Sequence, residues 1–95
     1  MANAIIEGVI KMNEVHIKYR SKLVSLTGTA EETMDARNIE DVLKEICKRH
    51  SREAEKTART MLIALNGENI LLLKRYKTAL SAGDTVSFFP LCAGG

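Results

Sequence analysis

The chemistry most plainly open to this chain lies in residues 84–95, which read Asp-Thr-Val-Ser-Phe-Phe-Pro-Leu-Cys-Ala-Gly-Gly. Gly94 and Gly95 have no side chains. A peptide ending in them can thread a narrow channel end-on, and its last carbonyl stays open to a sulfur nucleophile. The Gly95 carboxylate is a poor electrophile until ATP converts it to an acyl-adenylate. Taken alone, two terminal glycines fit a frayed end better. The context in front of them favours the chemical reading: a strand, aromatic residues, a proline and then a short tail. Cys92 sits three residues from the carboxylate, where a thiol could enter sulfur exchange or form a mixed disulfide. No activating base is evident beside it, so the plainer reading is a small apolar tail residue.

The element that must hold this tail is a strand over residues 84–89. Val86 and Phe88 share one face of its period-two pattern, while Thr85, Ser87 and Phe89 share the other. Pro90 has no backbone donor and suits the end of a strand. Leu91 to Gly95 are too few for a packed element, so residues 90–95 are expected to project.

Earlier in the chain, residues 15–20 alternate Val15, Ile17 and Tyr19 with His16, Lys18 and Arg20, which predicts a strand. His16 lies on the polar face with no second ligand spaced to help it, so no metal site is expected. Residues 21–28 read as a connection burying Leu23, Val24 and Leu26, with Gly28 allowing the turn back. Residues 30–36 make a second strand, although Glu31, Glu32 and Asp35 are poor strand formers. Ile39, Val42, Leu43, Ile46 and Cys47 form one helical stripe over residues 38–50. Asn38 is placed to cap it, acids occupy the first turn, and Lys48, Arg49 and His50 sit at the negative end. Residues 51–60 are highly charged; Ala54 and Ala58 continue a helix there, or the segment is a loop. The apolar run 61–66 predicts a strand buried on both faces, Asn66-Gly67 a tight turn, and residues 70–73 a short strand leaving it. Residues 1–14 form an extension in which Ile5, Ile6, Val9, Ile10 and Met12 make a helical stripe or an extra edge strand. Either is expected to dock on the domain or on a partner.

A chain of 95 residues supports one domain with a single modest core. The net charge of +2 drives neither nucleic-acid nor membrane binding, and no apolar run approaches a membrane span. The start lacks the basic and long apolar regions of a signal peptide. Two cysteines at positions ill suited to pairing point to a reduced, cytoplasmic setting. Phosphate loops, paired Cys-x-x-Cys, His-Glu-x-x-His and aromatic platforms for bases are all missing from the sequence. A helix across one face of a mixed sheet of four to five strands, an α+β roll, is the fold these elements predict. A carrier acted on by enzymes fits better than an enzyme acting alone.

Residues 83–90, Gly-Asp-Thr-Val-Ser-Phe-Phe-Pro, followed by Ala93-Gly94-Gly95, resemble the C-terminal signature of the MoaD/ThiS sulfur-carrier family, most nearly its MoaD branch. Ala64-Leu65-Asn66-Gly67-Glu68 resembles the family's central strand and turn. The element order fits over residues 15–95, although residues 74–80 run longer than usual. Leu91-Cys92 also departs from the proline and small or β-branched residue usual there.

The resemblance implies a β-grasp, or ubiquitin-like, roll with the last strand central. It implies that an E1-like MoeB or ThiF-type adenylyltransferase, using ATP and magnesium, activates Gly95. Persulfide sulfur then yields a thiocarboxylate. In the MoaD case the tail enters a MoaE-like large subunit and gives its sulfur to precursor Z in molybdenum cofactor biosynthesis, so the chain would be the sulfur-donating subunit of a molybdopterin synthase. Gly95 would carry the sulfur, Gly94 would give access, and Pro90, Leu91, Cys92 and Ala93 would span the channel. Phe89 is the candidate partner contact and Phe88 the core residue, the two assignments being exchangeable. The chain itself would hold no cofactor. Two alternatives stay open: a carrier for thiazole, amino-acid or RNA thiolation, and a ubiquitin-like binding module whose tail has no chemistry.

Overall fold

The computed structural model describes residues 13–91. The expectations placed on residues 5–12 and on Cys92, Ala93, Gly94 and Gly95 lie outside that range. Strand β1 (Glu14–Lys18) leads to a short helix α1 (Lys22–Thr27) and strand β2 (Glu31–Asp35). Helices α2 (Ile39–Arg49) and α3 (Arg52–Arg59) follow, then β3 (Leu62–Leu65) and the two-residue β4 (Glu68–Asn69). Two 3-10 turns, Ile70–Leu72 and Arg75–Lys77, precede β5 (Thr85–Phe89). The five strands form one mixed sheet in the order β2-β1-β5-β3-β4. Beside this sheet the helices complete a β-grasp, ubiquitin-like α+β fold.

The alternation in β1 places Val15 and Ile17 in the core without exposure, and Tyr19 just beyond the strand follows them inward. Burial of each such side chain contributes about 1.5–3 kcal/mol. Acid-rich β2 forms because antiparallel pairing with β1 satisfies its backbone, from Glu14↔Asp35 to Lys18↔Glu31. Met34 is its only buried side chain. Helix α2 begins where its sequence predicts: the Asn38 side chain accepts from the Asp41 N–H at 2.8 Å. Its residues Ile39, Val42, Leu43 and Ile46 are fully buried. Cys47 at the edge of the stripe is only half-buried.

Residues 51–60 resolve to a helix. The Ser51 hydroxyl accepts from the Ala54 N–H at 3.0 Å, and Ala54 and Ala58, four apart on one face, are fully buried. Small side chains let α3 lie close to α1 and α2. Residues 22–27, expected as a connection, wind into helix α1 around the buried Leu23. Gly28 ends it at φ +78°, its N–H donating to the Val24 carbonyl.

Asn66 and Gly67 both take positive φ, 50° and 88°, as a two-residue hairpin turn requires. The strand expected over residues 70–73 is corrected. Pairing stops at Ala64↔Asn69, and the Asn69 side chain accepts from the Leu71 N–H at 2.8 Å, turning the chain into a 3-10 turn. Ile70 is buried there, while Leu71 and Leu72 are left exposed. Among the described residues no helix is long and apolar enough to cross a membrane.

Candidate functional site

The feature that could do chemistry is the exit of β5, so its anchoring decides what the site can be. β5 lies in the middle of the sheet. It pairs in parallel with β1 through His16↔Thr85, Ile17↔Val86 and Lys18↔Ser87, and antiparallel with β3 from Leu65↔Val86 to Leu62↔Phe89. Its entry is clamped from both sides. The Thr85 N–H donates to Asn66 Oδ1 at 2.9 Å, the Asn66 N–H returns to the Thr85 carbonyl at 2.8 Å, and Asn66 Nδ2 donates to Asp84 Oδ1 at 3.1 Å. The His16 N–H donates to the Asp84 carbonyl at 2.8 Å. A strand held this way has little freedom to slip in register.

The two phenylalanines part as period two demands. Phe88 is entirely buried with Val86, its ring 5.9 Å from that of Tyr19. Phe89 points to the opposite face, partly exposed, with the Arg20 guanidinium 5.1 Å over its ring. Of the pair, Phe89 alone reaches the surface; Phe88 is the core residue. Pro90 and Leu91 follow, both exposed, Leu91 by 58%. Leu91 borders a groove of about 420 Å³ whose walls include Met61, Leu62, Leu71 and Tyr76. Of the predicted tail residues, Pro90 and Leu91 are thus placed at the root, and Cys92 through Gly95 fall beyond the described residues.

Beneath the root lies a polar cluster that sequence reasoning missed. Glu32 shares the inner face of β2 with Met34, and it opposes Ile17 across the strand pair. Its carboxylate accepts from the Tyr19 hydroxyl, from His50 Nε2 at 2.8 Å and from Arg49 Nη1 at 3.1 Å. His50 also meets Tyr19 edge-on, ring centres 6.3 Å apart. Burial alone would raise the Glu32 carboxyl, but the hydrogen bonds from Tyr19, His50 and Arg49 outweigh it and hold it below its ordinary value. For Tyr19, burial first and then Glu32 push the phenol well above its ordinary range, so it remains a neutral donor. The available signal was the period: Glu32 two residues before Met34, and Tyr19 two after Ile17.

The other sequence candidates are satisfied structurally. His16 pairs with Glu31 at 2.7 Å on the outer face. Burial, then a hydrogen bond with Glu55, pushes the Cys47 thiol up, which lowers its reactivity. Among the described residues no group of three or more His, Cys, Asp or Glu is arranged for a metal ion. What the arrangement does is present a chain end from a fixed root.

Structures of this shape are known. The chain superposes on small archaeal modifier protein 1 from Methanosarcina acetivorans with TM-score 0.73 and 26% identity, covering 88% of this chain and 98% of that one. A protein from Pyrococcus furiosus described as a candidate molybdopterin converting factor subunit 1 gives TM-score 0.67 and 28% identity, over 82% and 97% of the two chains. A chain of the BexX/CysO complex from Amycolatopsis orientalis shares the fold at TM-score 0.75 and 18% identity, over 85% and 99%. Among curated proteins none matches the sequence. The family model described as the ThiS family matches residues 17–95.

Proposed function

Because this chain belongs to the ThiS family of ubiquitin-like sulfur carriers, we infer that Gly95 is its working residue and that its carboxylate carries sulfur as a thiocarboxylate. The observation that supports this reading most is the exit of β5: the central, doubly paired strand of the sheet delivers Pro90 and Leu91 into solvent. A rigid root lowers the entropy lost when a tail is threaded into a partner's channel.

The chemistry proceeds in an activating partner of the adenylyltransferase type, which uses ATP and magnesium. A carboxylate oxygen of Gly95 attacks the α-phosphorus and pyrophosphate leaves. Persulfide sulfur then displaces AMP from the acyl-adenylate, and a thiol cleaves the resulting S–S bond, leaving the thiocarboxylate and a disulfide. Gly94 keeps the approach clear of side chains. Pro90 through Ala93 span the channel, and Phe89 docks at its mouth.

The finer reading is a MoaD-like small subunit that seats its tail in a MoaE-like large subunit and sulfurates precursor Z. The 28% identity to the Pyrococcus furiosus protein favours it. A second reading, a carrier or modifier with the same activated end and a different acceptor, is favoured by the 26% identity to small archaeal modifier protein 1.

Intact-protein mass spectrometry tests the common step. After incubation with ATP, an activating enzyme from the same organism and a sulfur donor, the mass should rise by the replacement of one oxygen with sulfur. A chain lacking Gly95 should show no change. An unchanged mass with a demonstrably active enzyme refutes the carrier reading. Binding to a MoaE-like subunit then separates the two finer ones.

A further inference from the structure

The surface beyond β4 combines three features that ordinary solvated surface lacks. The first is apolar exposure. Leu71 is 61% exposed and Leu72 75%, side by side on the turn that the buried Ile70 pins to the core. Leu71, with Met61, Leu62 and Tyr76, borders the groove of about 420 Å³ that ends at Leu91, and Leu72 stands beside it on the same turn.

The second is an unfinished sheet edge. β4 covers only Ala64 and Leu65, so among the described residues Leu62 and Ile63 of β3 have no strand neighbour on the side away from β5. An open edge of this kind accepts an added strand.

The third is charge. Residues 70–83 contain Lys74, Arg75 and Lys77 and no acid. Among the described residues none of these three makes an ion pair. The groove's remaining cation, Arg59, is already neutralised by Glu40 at 2.9 Å and Glu55 at 2.7 Å, and it stacks on Tyr76 at 5.1 Å. Of the two cations that line the groove, Arg75 is therefore the uncompensated one, and Lys74 and Lys77 flank it in sequence. Arg75 holds that position at φ +51°, a left-handed conformation that arginine rarely adopts.

We propose that the open edge of β3, the 3-10 turn Ile70–Leu72 and the cationic turn Arg75–Lys77 form a docking site for an acidic, aliphatic peptide segment of a partner protein. The segment adds as a strand beside Leu62 and Ile63. It covers Leu71 and Leu72 with its apolar side chains and sets its carboxylates against Lys74, Arg75 and Lys77. The chemistry disfavours single-stranded RNA: Tyr76 is the one aromatic ring lining the groove, and it is partly buried with the Arg59 guanidinium over it. The site is independent of sulfur loading, and its failure would leave that reading intact.

The test is selection of random displayed peptides on the immobilised full chain, followed by affinity measurement on the winners. Selected peptides should combine Asp or Glu with Leu, Ile, Val or Phe, and should shift the amide signals of residues 60–63 and 69–77. A Leu71→Ser, Leu72→Ser double variant should weaken them by about tenfold or more, the loss expected from one buried aliphatic contact. Arg75→Gly should weaken them too while raising Tm, because glycine relieves the positive φ; loss of binding with gain of stability excludes unfolding as the cause. The proposal is overturned by any of four results: no enriched peptides, peptides without acids, affinities that both variants leave unchanged, or self-association through Leu71 and Leu72. Capture of single-stranded RNA as tight as the peptides and equally sensitive to Arg75→Gly would overturn it as well.

Discussion

Replacing Phe88 with alanine removes the largest side chain that the fold encloses completely, whereas replacing its neighbour Phe89 trims a ring that stands partly in solvent. A buried Phe→Ala change costs about 3–5 kcal/mol, from lost transfer energy and the cavity left behind. A domain of this size has about 5–14 kcal/mol in total, so the variant gives up about a fifth of its stability or more. At about 4–8 °C per kcal/mol, Tm should fall by about 12 °C at the least. Phe89→Ala loses mainly its contact with Arg20, about 0.5–1 kcal/mol, and Tm should drop by less than about 8 °C. The ranking should invert in partner work. An aromatic anchor at the centre of an interface is worth about 2 kcal/mol or more, so Phe89→Ala should weaken binding to the activating enzyme by about thirtyfold. Calorimetry on both variants, with sulfur loading measured at a temperature where both remain folded, reads the two effects separately. Equal destabilisation would mean that the register Leu62↔Phe89 is wrong. Full loading by Phe89→Ala alongside none by a folded Phe88→Ala would refute the division of roles.

Two further expectations follow from the anchoring network. The Glu32 carboxyl is held below its ordinary value of 4.5, so it adds stability that is fully present above that value and is lost as pH falls through the depressed one. Glu32→Gln should therefore be less stable than the parent at neutral pH. The gap should close on acidification below 4.5, which urea denaturation at stepped pH would follow; a gap that is constant with pH would contradict the network. Asn38→Ala removes the cap on the first turn of α2 and should cost about 1 kcal/mol, with Asn38→Asp retaining most of it. Thermal denaturation of the pair checks this.

Where a single local pattern decides, the sequence was readable. Alternation in residues 15–19 placed Val15 and Ile17 inside, and in residues 85–89 it set Val86 and Phe88 on the face opposite Phe89, leaving the folded sheet to decide which of those two faces is buried. The 3.6-residue stripe and Asn38 located α2 almost to the residue. Family membership was equally visible, in residues 83–90 and the Ala93-Gly94-Gly95 end. The misreadings arose where local rules compete. The run Ile70 to Leu73 has no period of its own, and the Asn69 side chain settles the matter by bonding to the Leu71 N–H. Helix α1 is six residues long, too short to show a repeat, and exists because Leu23 is drawn into the core. The cluster of Tyr19, Glu32 and His50 joins three separate elements, so only the folded chain brings it together.

The parallel pairing of β1 with β5 also has a temporal meaning. The first described strand meets the last, His16 beside Thr85, with every other element lying between them in sequence. Contacts this distant must wait until the intervening loop has been closed, so they form late and slowly. Until they form, β5 has only its nearer partner β3, and the root of the tail is held from one side alone. An activating enzyme that needs the rooted end would therefore discriminate by maturity, passing over nascent, truncated or misfolded copies. Completion of the sheet would then serve as a checkpoint before ATP is committed to a carrier.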